Sequence, residues 1–299
     1  MKNARTPLSP QLAFVRVESQ PLMPRSAPIA ALRGLVRLVL RDDFARVQVG
    51  LTELRHRRLW RRSPVRHVTK RWVEERGLSV RGGPFAGLEY DPSAVGFAEV
   101  LVAKLIGAYE RELHPAIRAI QADEGIDTVV NIGCAEGYYA VGLARSVPRL
   151  RVHAYDLSPI MQRLCRRMAV RNGVAERIAV RSRCDLDELR ALAGPRALIL
   201  ADCEGCELEL LRPDAVPGLR EATVLVELHD FEDPDTTSTI LQRFEATHSA
   251  EVITAEPRFI VEHPEPGELR GISPLEHELA LLEFRPNQMR WAVLRPRGA

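Results

Sequence analysis

This chain is short of aromatics, cysteines and long apolar runs, and each shortage narrows what it can be. Aromatic residues make up 5% of its 299 positions, too few to suggest the stacking surfaces that read single-stranded RNA. Five cysteines are an odd number for a disulfide framework and agree with a reducing compartment. No apolar stretch reaches the roughly 18 residues of a membrane span. Ile29 to Leu40 comes nearest but is broken by Arg33 and Arg37. The N-terminus does not read as a secretory signal, because its apolar run starts late and carries arginines. Internal repeats are also missing. A cytoplasmic location is the expectation.

Charge is evenly balanced overall but not along the chain. The 42 Lys and Arg against 40 Asp and Glu leave +2. Residues 1–82 hold 18 basic against 6 acidic residues, or +12, and residues 83–299 hold 24 against 34, or −10. The densest basic run, Arg55 to Arg71, includes Trp60. Such a run can meet phosphates or an acidic surface. We read it as a helical segment packed on acidic protein, in this chain or in a second subunit of a homo-oligomer. RNA is the alternative partner. Proline-rich residues 1–28 read as an arm, residues 29–80 as mostly helical, and Gly82-Gly83-Pro84 as a boundary. The expected division is therefore a basic extension, 1–82, and a main domain, 83–299.

The main domain carries the chemistry. Thr128 to Arg145, TVVNIGCAEGYYAVGLAR, reads as a buried strand, a glycine turn and a helix, the arrangement that holds a nucleotide-type cofactor. The turn has no Gly-Lys-Ser/Thr, which excludes a P-loop, and Ala135 and Tyr138 stand where a dinucleotide fingerprint needs glycines. RVHAYD follows as a second strand with Asp156 at its tip, placed to take two ribose hydroxyls. Arg177 to Val180, Ala197 to Asp202 and Thr223 to Glu227 continue the series, with helices at Pro159 to Arg171 and Asp185 to Leu192. Alternation of this kind predicts a doubly wound α/β fold on a mostly parallel sheet. Phe85 to Tyr90, Leu279 to Phe284 and Met289 to Leu294 are expected as further strands. Ala98 to Tyr109 and Asp235 to Thr247 are expected as helices, and Pro257 to Pro274 as a loop over the substrate.

These residues resemble the class I S-adenosylmethionine-dependent methyltransferases. The glycine loop NIGCAEGYY, Asp156 and DCEGCELELL (Asp202 to Leu211) carry the likeness. Within that class D-x-E-G-x-E, here Asp202, Glu204, Gly205 and Glu207, is similar to the FkbM-type group, as are ELHD (Glu227 to Asp230) and the stretch Gly83 to Pro115. The resemblance implies a seven-stranded Rossmann-like sheet with an antiparallel edge, and S-adenosylmethionine as cofactor. It also implies methyl transfer, often to a hydroxyl, here of a small molecule or glycan. The cofactor-binding set it implies is Asn131, Gly133, Cys134, Ala135, Glu136, Gly137, Tyr138, Asp156, Leu157, Asp185 and Asp202. Asn131 departs from the class, which usually has an acid there. Glu136 either supplies the missing charge or is a solvated acid at a helix start.

His229, after the fifth strand, is the expected proton acceptor, because imidazole titrates near neutral pH. Asp230, Asp202 and Glu204 are the alternatives. These three acids, converging with His229, could also hold Mg²⁺ or Ca²⁺, but the reading adopted has no metal. A non-catalytic binding protein on the same fold is the remaining alternative. Glu207 and Glu209 are expected to face solvent, and Cys203 and Cys206 to be small apolar fillers.

Overall fold

The computed structural model describes residues 65–96, 100–256, 271–281, 283 and 289–298. The proline-rich arm, the Ile29 to Leu40 segment, most of the Arg55 to Arg71 run and the loop 257–270 lie outside these residues. No helix among the described residues is long and apolar enough to cross a membrane.

Helix α1 (Val65–Arg76) leads to short α2 (Leu101–Ile106) and α3 (His114–Ala122). The alternating core follows as β1 (Thr128–Ile132), α4 (Tyr138–Ser146), β2 (Arg151–Tyr155), α5 (Pro159–Arg171), β3 (Ile178–Arg181), α6 (Leu186–Leu192) and β4 (Ala197–Ala201). It continues with α7 (Glu207–Leu210), β5 (Thr223–Leu228), α8 (Thr236–Phe244), β6 (His248–Thr254), α9 (Pro274–Leu281) and β7 (Arg290–Pro296). The seven strands lie in the order β3-β2-β1-β4-β5-β7-β6. The first five are parallel, while β7 pairs antiparallel with both β5 and β6. This is the class I methyltransferase fold, Rossmann-like, with its antiparallel edge. Strand order reverses between β1 and β4, which opens a crevice at their carboxyl ends.

Both faces of the sheet are covered, so the central strands are apolar on both sides. Val129, Leu198, Leu200, Leu225 and Val293 share one core with α1–α5, through Val68, Trp72, Leu105, Ile117, Leu143 and Met168. Val130, Ile199, Val224, Val226 and Leu294 share the other with Leu189, Leu210, Ile240 and Phe244. Val68, Trp72 and Val80 thus belong to the main core, although they precede the Gly82-Gly83-Pro84 turn.

Three expected elements differ. Phe85 to Tyr90 is a set of turns with one bridge, Ser79 to Glu89, in place of a strand. Apolar content there serves burial: Phe85, Leu88 and Tyr90 are all in the core. Leu279 to Leu281 closes helix α9, and the further edge strand is β6, whose residues are mostly exposed. An outer strand with a largely polar surface has little of the apolar pattern that marks strands in a sequence. The helix expected over Ala98 to Tyr109 is confined to Leu101–Ile106, because Gly107 turns left-handed at φ +83°.

Candidate functional site

The glycine loop closes on the tip of β2. The Gly133 and Cys134 amides both donate to the Tyr155 carbonyl, at 2.8 and 2.9 Å. Ala135, itself left-handed at φ 45°, donates its amide to Asp156 Oδ2 at 2.9 Å. Ser158 donates to Asp156 Oδ1 at 2.8 Å and then caps α5. Burial pushes the Asp156 carboxyl up to about 6, against the pull of these two amides, and the charges of Glu136 and Asp202 add to the rise. A carboxylate accepts about four hydrogen bonds, so two acceptor sites remain for ligand hydroxyls. Leu157, beside it, is 41% exposed despite its apolar side chain.

The protein itself requires glycine at 133. Its φ is +82°, and a Cβ there would stand 1.6 Å from the Asp202 carbonyl oxygen. The β1 loop and the β4 loop therefore touch through backbone alone. Asp202 reinforces the contact by donating its amide to the Ile132 carbonyl at 2.9 Å. Gly137, at φ +103°, makes room in the same way for Cys165 and Val141.

Glu136 is not a solvated acid. It is buried, pairs with Lys104 Nζ at 2.6 Å and accepts from the Tyr90 hydroxyl at 3.0 Å. Burial works against its charge, but Lys104 prevails and holds it below the ordinary carboxylate value. Its charge is thus balanced within the protein. Asn131 is 1% exposed, and neither atom of its amide has a hydrogen-bond partner among the described residues.

The second half of the site gathers around His229, which is 1% exposed. Its Nδ1 lies 2.8 Å from Glu207 Oε1, an oxygen that also accepts from the Cys203 amide. Glu207 is 1% exposed, so the expectation of a solvent-facing residue is wrong: α7 is one turn long and directs this side chain inward. The other ring nitrogen, Nε2, lies 3.5 Å from Glu227 Oε2, 3.6 Å from Asp202 Oδ1 and 3.8 Å from Glu204 Oε2. Burial disfavours the imidazolium, but Glu207, Asp202 and Glu204 outweigh it and raise the His229 pKa above its ordinary 6.5. The Phe231 ring stands edge-on to His229 at 5.5 Å, and this side chain is partly exposed.

Cys203 and Cys206 are joined as a disulfide, which corrects their reading as apolar fillers. The bridge brackets Glu204 and Gly205, at φ 56° and 106°. It fits because the left-handed turn at Glu204 and Gly205 brings the two cysteine Cα atoms to 5.6 Å.

Two expected residues have other engagements. Asp230 accepts from the Thr237 amide and hydroxyl and from Arg290, at 2.9, 2.6 and 2.6 Å. Asp185 caps α6 through the Asp187 and Glu188 amides. Glu227, Glu207 and Phe231 were absent from the expected site. Only the ELHD motif and the D-x-E-G-x-E signature marked their neighbourhood.

No family model and no curated protein matches the chain. Among solved structures it is similar to methyltransferases. One is a precorrin-6y C5,15-methyltransferase from Geobacter metallireducens, 13% identical over 60% of this chain and 87% of the other, with a TM-score of 0.42. Another is an O-methyltransferase of tomaymycin synthesis from Streptomyces achromogenes, 15% identical over 62% and 78%, with a TM-score of 0.39. A third is an rRNA methylase from Streptococcus thermophilus, 10% identical over 63% and 99%, with a TM-score of 0.43. Likenesses this distant leave the cofactor and acceptor to be argued from the side chains.

Proposed function

We propose that this chain is an S-adenosylmethionine-dependent methyltransferase of the FkbM type, acting on a hydroxyl of a small molecule or sugar. The observation that carries the reading is the backbone contact of Gly133 with Asp202. It joins a nucleoside-type loop to a cluster of proton-handling side chains at the switch point of the sheet. S-adenosylmethionine would supply a methyl group on a sulfonium, already activated for direct displacement.

The residues present fit that cofactor. Asp156 retains acceptor capacity for the ribose hydroxyls, and exposed Leu157 offers an apolar surface to a base. The partnerless amide of Asn131 lies at the end of β1, below the loop. Asp156, Asp202, Glu204 and Glu227 make the strand ends electronegative, which favours a cation even though Asn131 brings no charge.

Alignment of acceptor, methyl and sulfur supplies most of the rate in such a displacement. A hydroxyl must also lose a proton, and a positioned base contributes about 100- to 10,000-fold. Glu204 takes that proton. Its side chain is 74% exposed at the mouth of the site, so an acceptor can reach it. His229, oriented by Glu207, holds the position beside it. Phe231 gives the rim an aromatic surface for an acceptor ring.

Calorimetric titration of the full chain with S-adenosylmethionine and with its demethylated product tests the reading. Binding of both is expected, weakened by about 1.5–3 kcal/mol in Asp156→Ala. A folded chain that binds neither ligand would refute it.

A further inference from the structure

We infer that Asp202, Glu227 and His229 Nε2 form a binding site for one divalent transition-metal ion of the Mn²⁺ or Zn²⁺ class. Glu204 closes one side of it. Their ligand atoms, one from each of Asp202, Glu227 and His229, all lie within 4.8 Å of one another. The spacing is informative. His229 Nε2 is 3.5, 3.6 and 3.8 Å from the three carboxylates, too far for the hydrogen bonds of about 2.7–3.2 Å that a buried imidazole would otherwise make. An ion that holds oxygen and nitrogen at about 2.0–2.2 Å separates neighbouring ligands by about 3.0–3.6 Å. The gaps from Nε2 to Glu227 and Asp202 fall at the upper end of that range, so the carboxylates need to draw in only slightly towards His229 to close a coordination shell.

His229 is the observation that lifts this above a cluster of acids. It is 1% exposed, its Nε2 makes no hydrogen bond among the described residues, and that nitrogen lies nearest the carboxylates of Glu227, Asp202 and Glu204. Its other nitrogen lies against Glu207 at 2.8 Å. A carboxylate that fixes the far nitrogen of a metal-bound histidine, leaving the near one to the ion, is a recurring support for such ligands. Charge agrees as well. Among the described residues no lysine or arginine pairs with Asp202, Glu204 or Glu207, and Glu207 Oε2 is buried without a partner.

Ligand type selects the ion. One imidazole with two or three carboxylates suits Mn²⁺, Zn²⁺ and their neighbours, whereas Mg²⁺ and Ca²⁺ favour oxygen alone. Three firm protein ligands leave positions open beside Glu204. A hydroxyl bound there would lie next to the carboxylate that takes its proton.

The site does not depend on the cofactor assignment, so it is tested without cofactor. The full chain, stripped with chelator, is titrated with MnCl₂, ZnCl₂ and MgCl₂ separately. One Mn²⁺ or Zn²⁺ per chain is expected, bound at least tenfold more tightly than Mg²⁺. Asp202→Asn and Glu227→Gln should each weaken it at least tenfold, and Glu207→Gln by about 10- to 100-fold. Glu209→Gln, outside the cluster, should bind as the wild type does. Pulsed electron paramagnetic resonance of the Mn²⁺-loaded wild type should show one coordinating imidazole nitrogen, a readout that needs no variant to fold. Absence of saturable Mn²⁺ and Zn²⁺ binding overturns the inference. So does a bound Mn²⁺ with no nitrogen coupling, or affinity unchanged in folded Asp202→Asn and Glu227→Gln proteins. Metal binding without S-adenosylmethionine binding would sink the proposed function and leave this site standing.

Discussion

Asp156 offers the sharpest test, because its titration should be readable both in stability and in ligand affinity. Burial lifts its carboxyl from an ordinary 3.8 to about 6 in the folded chain. Between those values the native state holds a proton that the unfolded chain has released. Stability contributed by this group is therefore greatest below pH 3.8 and falls as pH rises to about 6. The difference of roughly two units corresponds to about 3 kcal/mol. The perturbation is Asp156→Asn, which removes the titration but keeps the shape. One amide oxygen must then serve two backbone amides, so a pH-independent loss of about 1–3 kcal/mol is expected on top. Urea unfolding of both proteins at intervals from pH 4 to pH 7 gives the difference curve. Across that window it should move by about 2 kcal/mol in favour of the variant as pH rises. Ribose hydroxyls donate to the charged carboxylate, so S-adenosylmethionine should bind more tightly as pH rises through 6, by at most about a hundredfold. Parallel stability curves for the two proteins, or a carboxyl NMR titration centred near 4, would refute the assignment of a buried, perturbed acid.

The Lys104–Glu136 pair, each side chain 7% exposed, should behave as a buried ion pair. Lys104→Met alone is expected to cost about 3–5 kcal/mol, and Lys104→Met with Glu136→Gln far less; equal losses by denaturant titration would contradict this. Gly133→Ala and Gly173→Ala both force a left-handed alanine, worth about 1–2 kcal/mol, but only the first meets an atom within 4 Å. A similar drop in melting temperature for the two would remove the argument for backbone contact between the β1 and β4 loops. Glu204→Gln should lower kcat about 100-fold or more while leaving affinity for S-adenosylmethionine unchanged, and turnover equal to wild type would end its role as base.

The sheet was legible because its signals are local. Val129, Val130 and Ile132 before Gly133, and ALILA before Asp202, mark strands buried on both faces whatever surrounds them. Acids at the tips of β2 and β4 could be placed from strand order alone, since parallel strands in this fold present their carboxyl ends on one side. Strand β6 was missed because its residues are mostly exposed, and Leu279 to Leu281 was mistaken for a strand because a short apolar run suits either helix or strand.

What the sequence determined by itself was the α/β alternation, the glycine loop and the acids at the tips of β2 and β4. Tertiary structure alone decided what each charge answers to. Glu136 pairs with Lys104, thirty-two positions away, and Asp230 with Arg290, sixty positions away. Glu207 turned inward to fix His229, and Glu227 joined the carboxylates around it. Secondary structure depends on neighbours a few residues apart, whereas the partner of a buried charge is set by whichever distant element packs against it. For that reason the scaffold could be read along the chain, while the places of Glu207 and Glu227 beside Asp202, Glu204 and His229 emerged only when β4 and β5 came to lie side by side.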